Sequence, residues 1–201
     1  MPFFRYTTPK ETTMKKTILF IVIIAAAAAF LPAQSADNPG LRPILNNFSA
    51  RNYGTGAVTR AELDLIVQAG IRAPSAGNRQ PWRFTVVQNQ ALVKQVVPQA
   101  TDGNVLIVVS AAGDGKTNGV AILDCGLAAQ SMFLAAQALG LGARQYTGPV
   151  DNVNSRFKSE LGMPADHNAI IIIRIGRLPA GVDAVSSASP RNAADRIVTY
   201  K

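Results

Sequence analysis

The chain has 201 residues and 21.2 kDa, enough for one ordinary domain plus an extension. Its 48% hydrophobic and 16% charged residues exclude a disordered chain, and its single Cys excludes a disulfide scaffold. The formal net charge is +8, yet Arg42, Arg51, Arg60, Arg72, Arg79 and Arg83 stand singly, so small anionic ligands fit better than nucleic acid, and no nucleic-acid partner is expected.

Lys15-Lys16 precedes an apolar run from Ile18 to Leu31, followed by Pro32-Ala33-Gln34-Ser35-Ala36. A basic start, a core too short to span a bilayer and small residues beyond it describe a secretory signal peptide, cut near Ser35/Ala36. An uncleaved membrane anchor is the alternative. Met14 directly precedes the basic pair, so the thirteen residues before it read as a mis-assigned start or a prefix without structure of its own. Residues 1–35 are therefore set aside as signal peptide with preceding prefix, and 36–201 form one domain of about 165 residues. The mature chain is expected to be exported, periplasmic or secreted, with no stable membrane anchoring once the signal is cleaved. Cys125 lies in an apolar helical pattern and reads as a small buried hydrophobe.

In the mature chain, a short helix is expected at Leu41–Asn47. Thr59-Arg60-Ala61-Glu62 is a capping box, and Leu63, Ile66, Val67 and Gly70 follow at helical spacing. Pro74 predicts that this helix ends at Ala73. A loop over Ser75–Pro81 leads to a strand at Phe84–Val87, and Asn89 caps a helix to about Val97. A buried strand follows at Val105–Val109, then a loop over Gly113–Gly119. Val120–Leu139 is the longest helix, apolar on most faces, and Gly140 and Gly142 stop it. Asp151 is expected to cap a helix to Leu161, Ala169–Ile175 is a β-branched strand, and a terminal strand is expected at Ile197–Tyr200. His167, the one histidine, is expected in a surface loop near Pro164. Helices and strands alternate without regular βαβ spacing, which favours an α+β layered fold.

The informative stretch is Ala73-Pro74-Ser75-Ala76-Gly77-Asn78-Arg79-Gln80-Pro81-Trp82. Small side chains let backbone approach a flat ligand, and Ser75 and Asn78 can hydrogen-bond a ring edge. Composition alone favours a loop whose polar groups satisfy only its own backbone.

This stretch closely resembles the flavin-contacting loop of the nitroreductase family of FMN-dependent oxidoreductases. Ser49-Ala50-Arg51-Asn52-Tyr53 is similar to that family's N-terminal motif, Asp124–Gly142 to its central helix and following turn, and Arg191–Tyr200 to its C-terminal arm. The resemblance implies a nitroreductase-like layered α+β fold: a central, mainly antiparallel sheet flanked by helices, dimeric with an exchanged C-terminal arm. It implies FMN as cofactor, held by Ser49 at the phosphate, Arg51 at the flavin N1/C2 carbonyl edge, Pro74, Ser75, Ala76, Asn78 and Gln80 around the ring, Thr147 and Gly148 near N5, and Arg191 at the phosphate. No catalytic side chain and no metal are expected; the flavin carries the chemistry.

The pattern departs from the family at Asn47, where an Arg is usual, at Thr147, where some members carry Glu, and in the short Gly113–Gly119 segment that leaves little substrate cover. Arg191 and Arg42 are candidates to replace the missing phosphate charge. The leading reading is electron transfer from a reduced donor such as NAD(P)H to a nitroaromatic, quinone or similar small acceptor, in a ping-pong cycle on a homodimer. The rival is an exported flavin- or ligand-binding protein on the same scaffold, without turnover.

Overall fold

The computed structural model describes residues 38–186 and 188–201. The leader and its cleavage site lie outside the described residues. Four strands make one sheet in the order β1 (Trp82–Val87), β2 (Val105–Ala112), β4 (His167–Gly176), β3 (Gly142–Tyr146), and every neighbouring pair is antiparallel. The helices are α1 (Arg42–Leu45), α2 (Arg60–Ile71), α3 (Gln90–Val96), α4 (Gly119–Ala138) and α5 (Val150–Asn152), which continues as a π-helical turn over Val153–Phe157.

Alternation along the strands divides the interior. Val105, Ile107, Val109 and Ala111 of β2, with Ile173 and Ile175 of β4, face α2 and α4. Leu106, Val108 and Ile172 face α3 and the segment after β3. The small buried residues Ala121, Cys125, Ala128, Ala129 and Ala136 line the inner face of α4, which lets that helix lie close on the sheet. Burial pushes the Cys125 thiol up to about 12, so it stays protonated and packs as an apolar group.

The capping box forms as expected: Thr59 Oγ1 accepts from the Glu62 N–H, and Glu62 Oε2 accepts from the Thr59 N–H at 2.8 Å. Glu62 also pairs with Arg177 at 2.8 Å. Burial alone would raise the Glu62 carboxyl, but Arg177 and Thr59 outweigh it and hold it below its ordinary 4.5. A depressed carboxylate stabilises the fold above its unfolded pKa and loses that contribution as the pH falls. Urea midpoints should therefore drop more steeply from about pH 5 to about pH 3 in the native chain than in Arg177→Gln. Equal slopes would remove the pair from the stability balance.

Several elements differ from expectation. The α2 helix stops at Ile71, not Ala73, because the Ala73 N–H closes a tight turn on the Gly70 carbonyl at 3.2 Å. Strand β2 runs three residues further, through Ser110, Ala111 and Ala112, with a register shift at Val109/Ser110. Strand β3 was not foreseen: Gly140, at φ +75°, takes the left-handed stop after α4, while Gly142 pairs with Gly176 in the sheet. Asp151 caps nothing; Pro149 occupies the N-cap of α5, without a side-chain hydrogen bond. His167 opens β4 and contacts Asp166 at 2.9 Å rather than lying in a surface loop. Residues 197–200 form no strand within their own chain; a short turn at Ala194–Arg196 precedes them, and Ile197 and Tyr200 are exposed.

Gly103 shows how closely the loops pack. It sits at φ +86°, and a Cβ there would lie 2.3 Å from the Gly56 carbonyl oxygen. Gly103→Ala should destabilise the chain by about 2–4 kcal/mol, through backbone clash and left-handed strain together. A denaturation midpoint within error of the native value would contradict this packing.

Candidate flavin site

The resemblance-bearing residues gather in two places. The first is the loop before β1. Ser75 is extended, Ala76–Asn78 makes one tight turn, and Gly77, Asn78 and Gln80 all take positive φ of 57°, 55° and 48°. Two non-glycine residues in this region mark stored backbone strain. Local bonds hold it. Ser75 Oγ accepts from the Gln80 N–H at 3.0 Å, and Gln80 Nε2 donates to Asn78 Oδ1 at 3.0 Å. Asp124 of α4, only 2% exposed, accepts from the Ala76 N–H at 3.1 Å. Pro74, Ala76, Asn78 and Gln80 remain exposed and Ser75 half-buried, so the loop presents its atoms outward. Asp124 carries a positioning task that the sequence did not assign; its signal was a lone acid within an apolar helix.

The second place is a cleft along β3, whose residues pair with the C-terminal half of β4. The Ala50 N–H donates to the Ala143 carbonyl at 3.0 Å, which ties the Ser49–Tyr53 segment to the sheet. Arg51 lines a cleft of about 690 Å³ that Gly148, Arg144 and Arg174 also line. A smaller hollow of about 280 Å³ holds Ser49 and shares Arg51. A Cβ added at Gly148 would meet nothing within 4 Å, so its backbone faces open space. Thr147 beside it is exposed. Tyr53 packs its ring against Arg174, whose guanidinium carbon lies 3.9 Å from the ring centre. Burial pushes the Tyr53 phenol up to about 12 against the opposing pull of Arg174, so it stays neutral.

Three arginine expectations resolve differently. Asn47 donates to the Pro43 and Ile44 carbonyls at 2.9 and 2.8 Å and so caps the C-terminal end of α1. Arg42 pairs with Asp183 at 2.7 Å. Arg191 donates to the carbonyls of Ser189 and Pro190 in its own exposed tail and lines neither cavity. Within one chain, neither Arg42 nor Arg191 lines the hollow that holds Ser49.

The loop and the Phe48–Ser49 segment lie far apart. The loop touches α4 at Asp124, whereas Gln137 of α4 donates to the Phe48 carbonyl beside Ser49. Thirteen residues of helix separate those contacts, about 20 Å at 1.5 Å per residue. The sheet agrees. Trp82, just after the loop, pairs with Ala111 at one end of β2, while Val105 at the other end neighbours Ile175, the partner of Ala143.

A helix-flanked antiparallel sheet, bearing a strained small-residue loop before β1 and an arginine-lined cleft along β3, defines a scaffold for a flat anionic ligand. The sequence profile of the nitroreductase family matches residues 44–104 and 97–177. A protein of Archaeoglobus fulgidus, provisionally named NADH dehydrogenase/NAD(P)H nitroreductase, is 30% identical over 146 residues, 68% of this chain and 83% of that protein. Among solved structures, a provisionally named nitroreductase of Desulfovibrio desulfuricans in complex with FMN is 30% identical, with a TM-score of 0.67, covering 82% of this chain and 98% of that one. A nitroreductase of Desulfitobacterium hafniense with bound FMN, 24% identical, shares the fold with a TM-score of 0.67 over 82% and 98%. The chain belongs to the nitroreductase family and is an oxidoreductase of that class.

Proposed function

We propose that the chain is an FMN-dependent oxidoreductase whose flavin sits between two copies, the loop of one facing the cleft of the other. The observation that carries this reading is the separation of about 20 Å along α4 between the loop and the Phe48–Ser49 segment. Within one chain the loop stands at one end of α4 and the Ser49 segment at the other, and neither set alone both grips a ring and balances its charge. The residues fit the group. The loop offers small side chains and outward polar atoms, Gly148 leaves a face open, and the cleft supplies positive charge.

When bound, FMN supplies the two-electron chemistry. The chain orients and stabilises. Asn78 and Ser75 hold the ring edge, Asp124 fixes the backbone that carries them, and Ser49 reaches the phosphate. Arg51 places a cation where charge develops on reduction, an interaction stronger in the reduced state than in the oxidised one. A reduced donor such as NAD(P)H and a small acceptor, a nitroaromatic or quinone, take turns at one face in a ping-pong cycle.

Pairing through α4 supports the homodimer. Val120, Leu123 and Leu127 leave an apolar stripe on its outer side, with Leu123 63% exposed. The unpartnered tail with Ile197, Val198 and Tyr200 has the length and apolarity to cross onto a second copy and carry Arg191 towards its phosphate site. Export follows from the leader, and N-terminal sequencing from the native cell should begin near Ala36.

A flavin-binding protein without turnover is the second reading, favoured by the engagement of Asn47 in capping α1. Steady-state assays with NADH and NADPH separate the two. Reoxidisable flavin reduced by either donor supports the enzyme; tightly bound flavin that no donor reduces supports the binder.

A further inference from the structure

The cleft beside Arg51 holds an uncompensated pair of cations. Arg144 of β3 and Arg174 of β4 are direct cross-strand partners, and like charges at such positions repel. Arg174 is 1% exposed, yet it lines the cleft. Its two terminal nitrogens donate to the carbonyls of Gln99 and Arg51 at 3.0 and 3.1 Å, and its Nε has no partner. The ion pairs among the described residues use Arg42, Arg60, Lys94, Lys116, His167 and Arg177; Arg51, Arg144 and Arg174 take part in none. No carboxylate lines the cleft. The nearest aromatic groups meet these cations by their ring faces, a contact weaker than a carboxylate: Arg144 lies 5.0 Å from the Tyr146 ring centre and Arg174 3.9 Å from that of Tyr53.

A buried guanidinium without a carboxylate is costly unless a ligand supplies the counter-charge. We propose that this cleft carries a subsite for an oxyanion, a carboxylate or phosphate group, held by Arg144 at the rim and by the charge of Arg174 in the floor. The subsite is separate from the site of the cofactor phosphate. Ser49, the residue similar to the family's phosphate contact, lies in the other hollow, across Arg51. Because Arg51 and Gly148 share the cleft, an anion bound here lies beside the flavin edge, so the electron donor or acceptor is itself anionic. This last step rests on the flavin reading above.

Benzoate and its neutral isostere benzamide test it, by titration calorimetry on both apo and FMN-loaded protein. Benzoate should bind both forms at least about tenfold more tightly than benzamide, as expected for one charge-assisted hydrogen bond. Arg144→Gln, at the half-buried rim, should abolish that preference in both the apo and the FMN-loaded protein. Equal binding of the two probes, or a preference that survives in Arg144→Gln, would overturn the subsite. Loss of benzoate binding on FMN loading would assign the pair to the cofactor instead. A chain that selects benzoate but never binds FMN would overturn the flavin reading, and with it the anionic redox partner, while leaving the anion site standing.

Discussion

Two variants that each fail to hold FMN should regain it when combined in one dimer. Ser75→Ala/Asn78→Ala disables the loop, and Arg51→Ala/Gly148→Val disables the cleft. Each lost hydrogen bond costs about 0.5–1.5 kcal/mol, and about 1.5–3 kcal/mol where a charge takes part. Each homodimer should therefore bind FMN at least about tenfold more weakly. In the mixed dimer, one site combines both defects and the other combines the intact loop with the intact cleft. Co-expression with two purification tags should yield heterodimers holding one tight FMN per pair of chains. A site contained within one chain gives no such rescue, and heterodimers as weak as their parents would refute the shared site. The separation measured along α4, from Asp124 to Gln137, makes the two outcomes distinct.

Arg51→Ala and Asn78→Ala should fail in different ways. In the proposed site Arg51 meets charge that appears on reduction, so its removal should lower the flavin midpoint potential more than it weakens oxidised binding. A charge-assisted hydrogen bond of about 1.5–3 kcal/mol converts, at about 1.4 kcal/mol per 30 mV for a two-electron couple, into a drop of about 30–65 mV. Arg51 is exposed, so water replacing the guanidinium moves the result towards the lower end. In the proposed site Asn78 contacts the ring in both redox states, so Asn78→Ala should weaken binding and leave the potential nearly unchanged. An unchanged potential in a normally folded Arg51→Ala protein would return Arg51 to the surface.

Much of the fold was legible because its signals are local. The Thr59–Glu62 capping box, the Asn89 cap and the β-branched run of β4 each state their structure within a few residues. Strand β3 was hidden because Gly-Ala-Arg-Gln-Tyr has weak β-propensity; the edge of β4 decides it, a partner more than twenty residues ahead in the chain. The terminal segment failed in the opposite sense: Ile197-Val198-Thr199-Tyr200 has the composition of a strand, but no sheet edge of its own chain receives it.

At the site, the sequence named the small-residue loop and the Ser49–Arg51 segment but not their separation, which depends on the run of α4 and the sheet register. It also passed over Arg144 and Arg174. Each looks like an isolated surface cation in the sequence, and only the register of β3 on β4 sets them side by side.

The most direct measurement is the visible spectrum of the purified mature protein during titration with FMN, with light scattering on the same sample. Saturation at one flavin per chain, on a particle of two chains, is the expected result. A chain that never acquires a bound-flavin spectrum, or one that saturates as a monomer, would contradict an FMN-dependent oxidoreductase built across two copies.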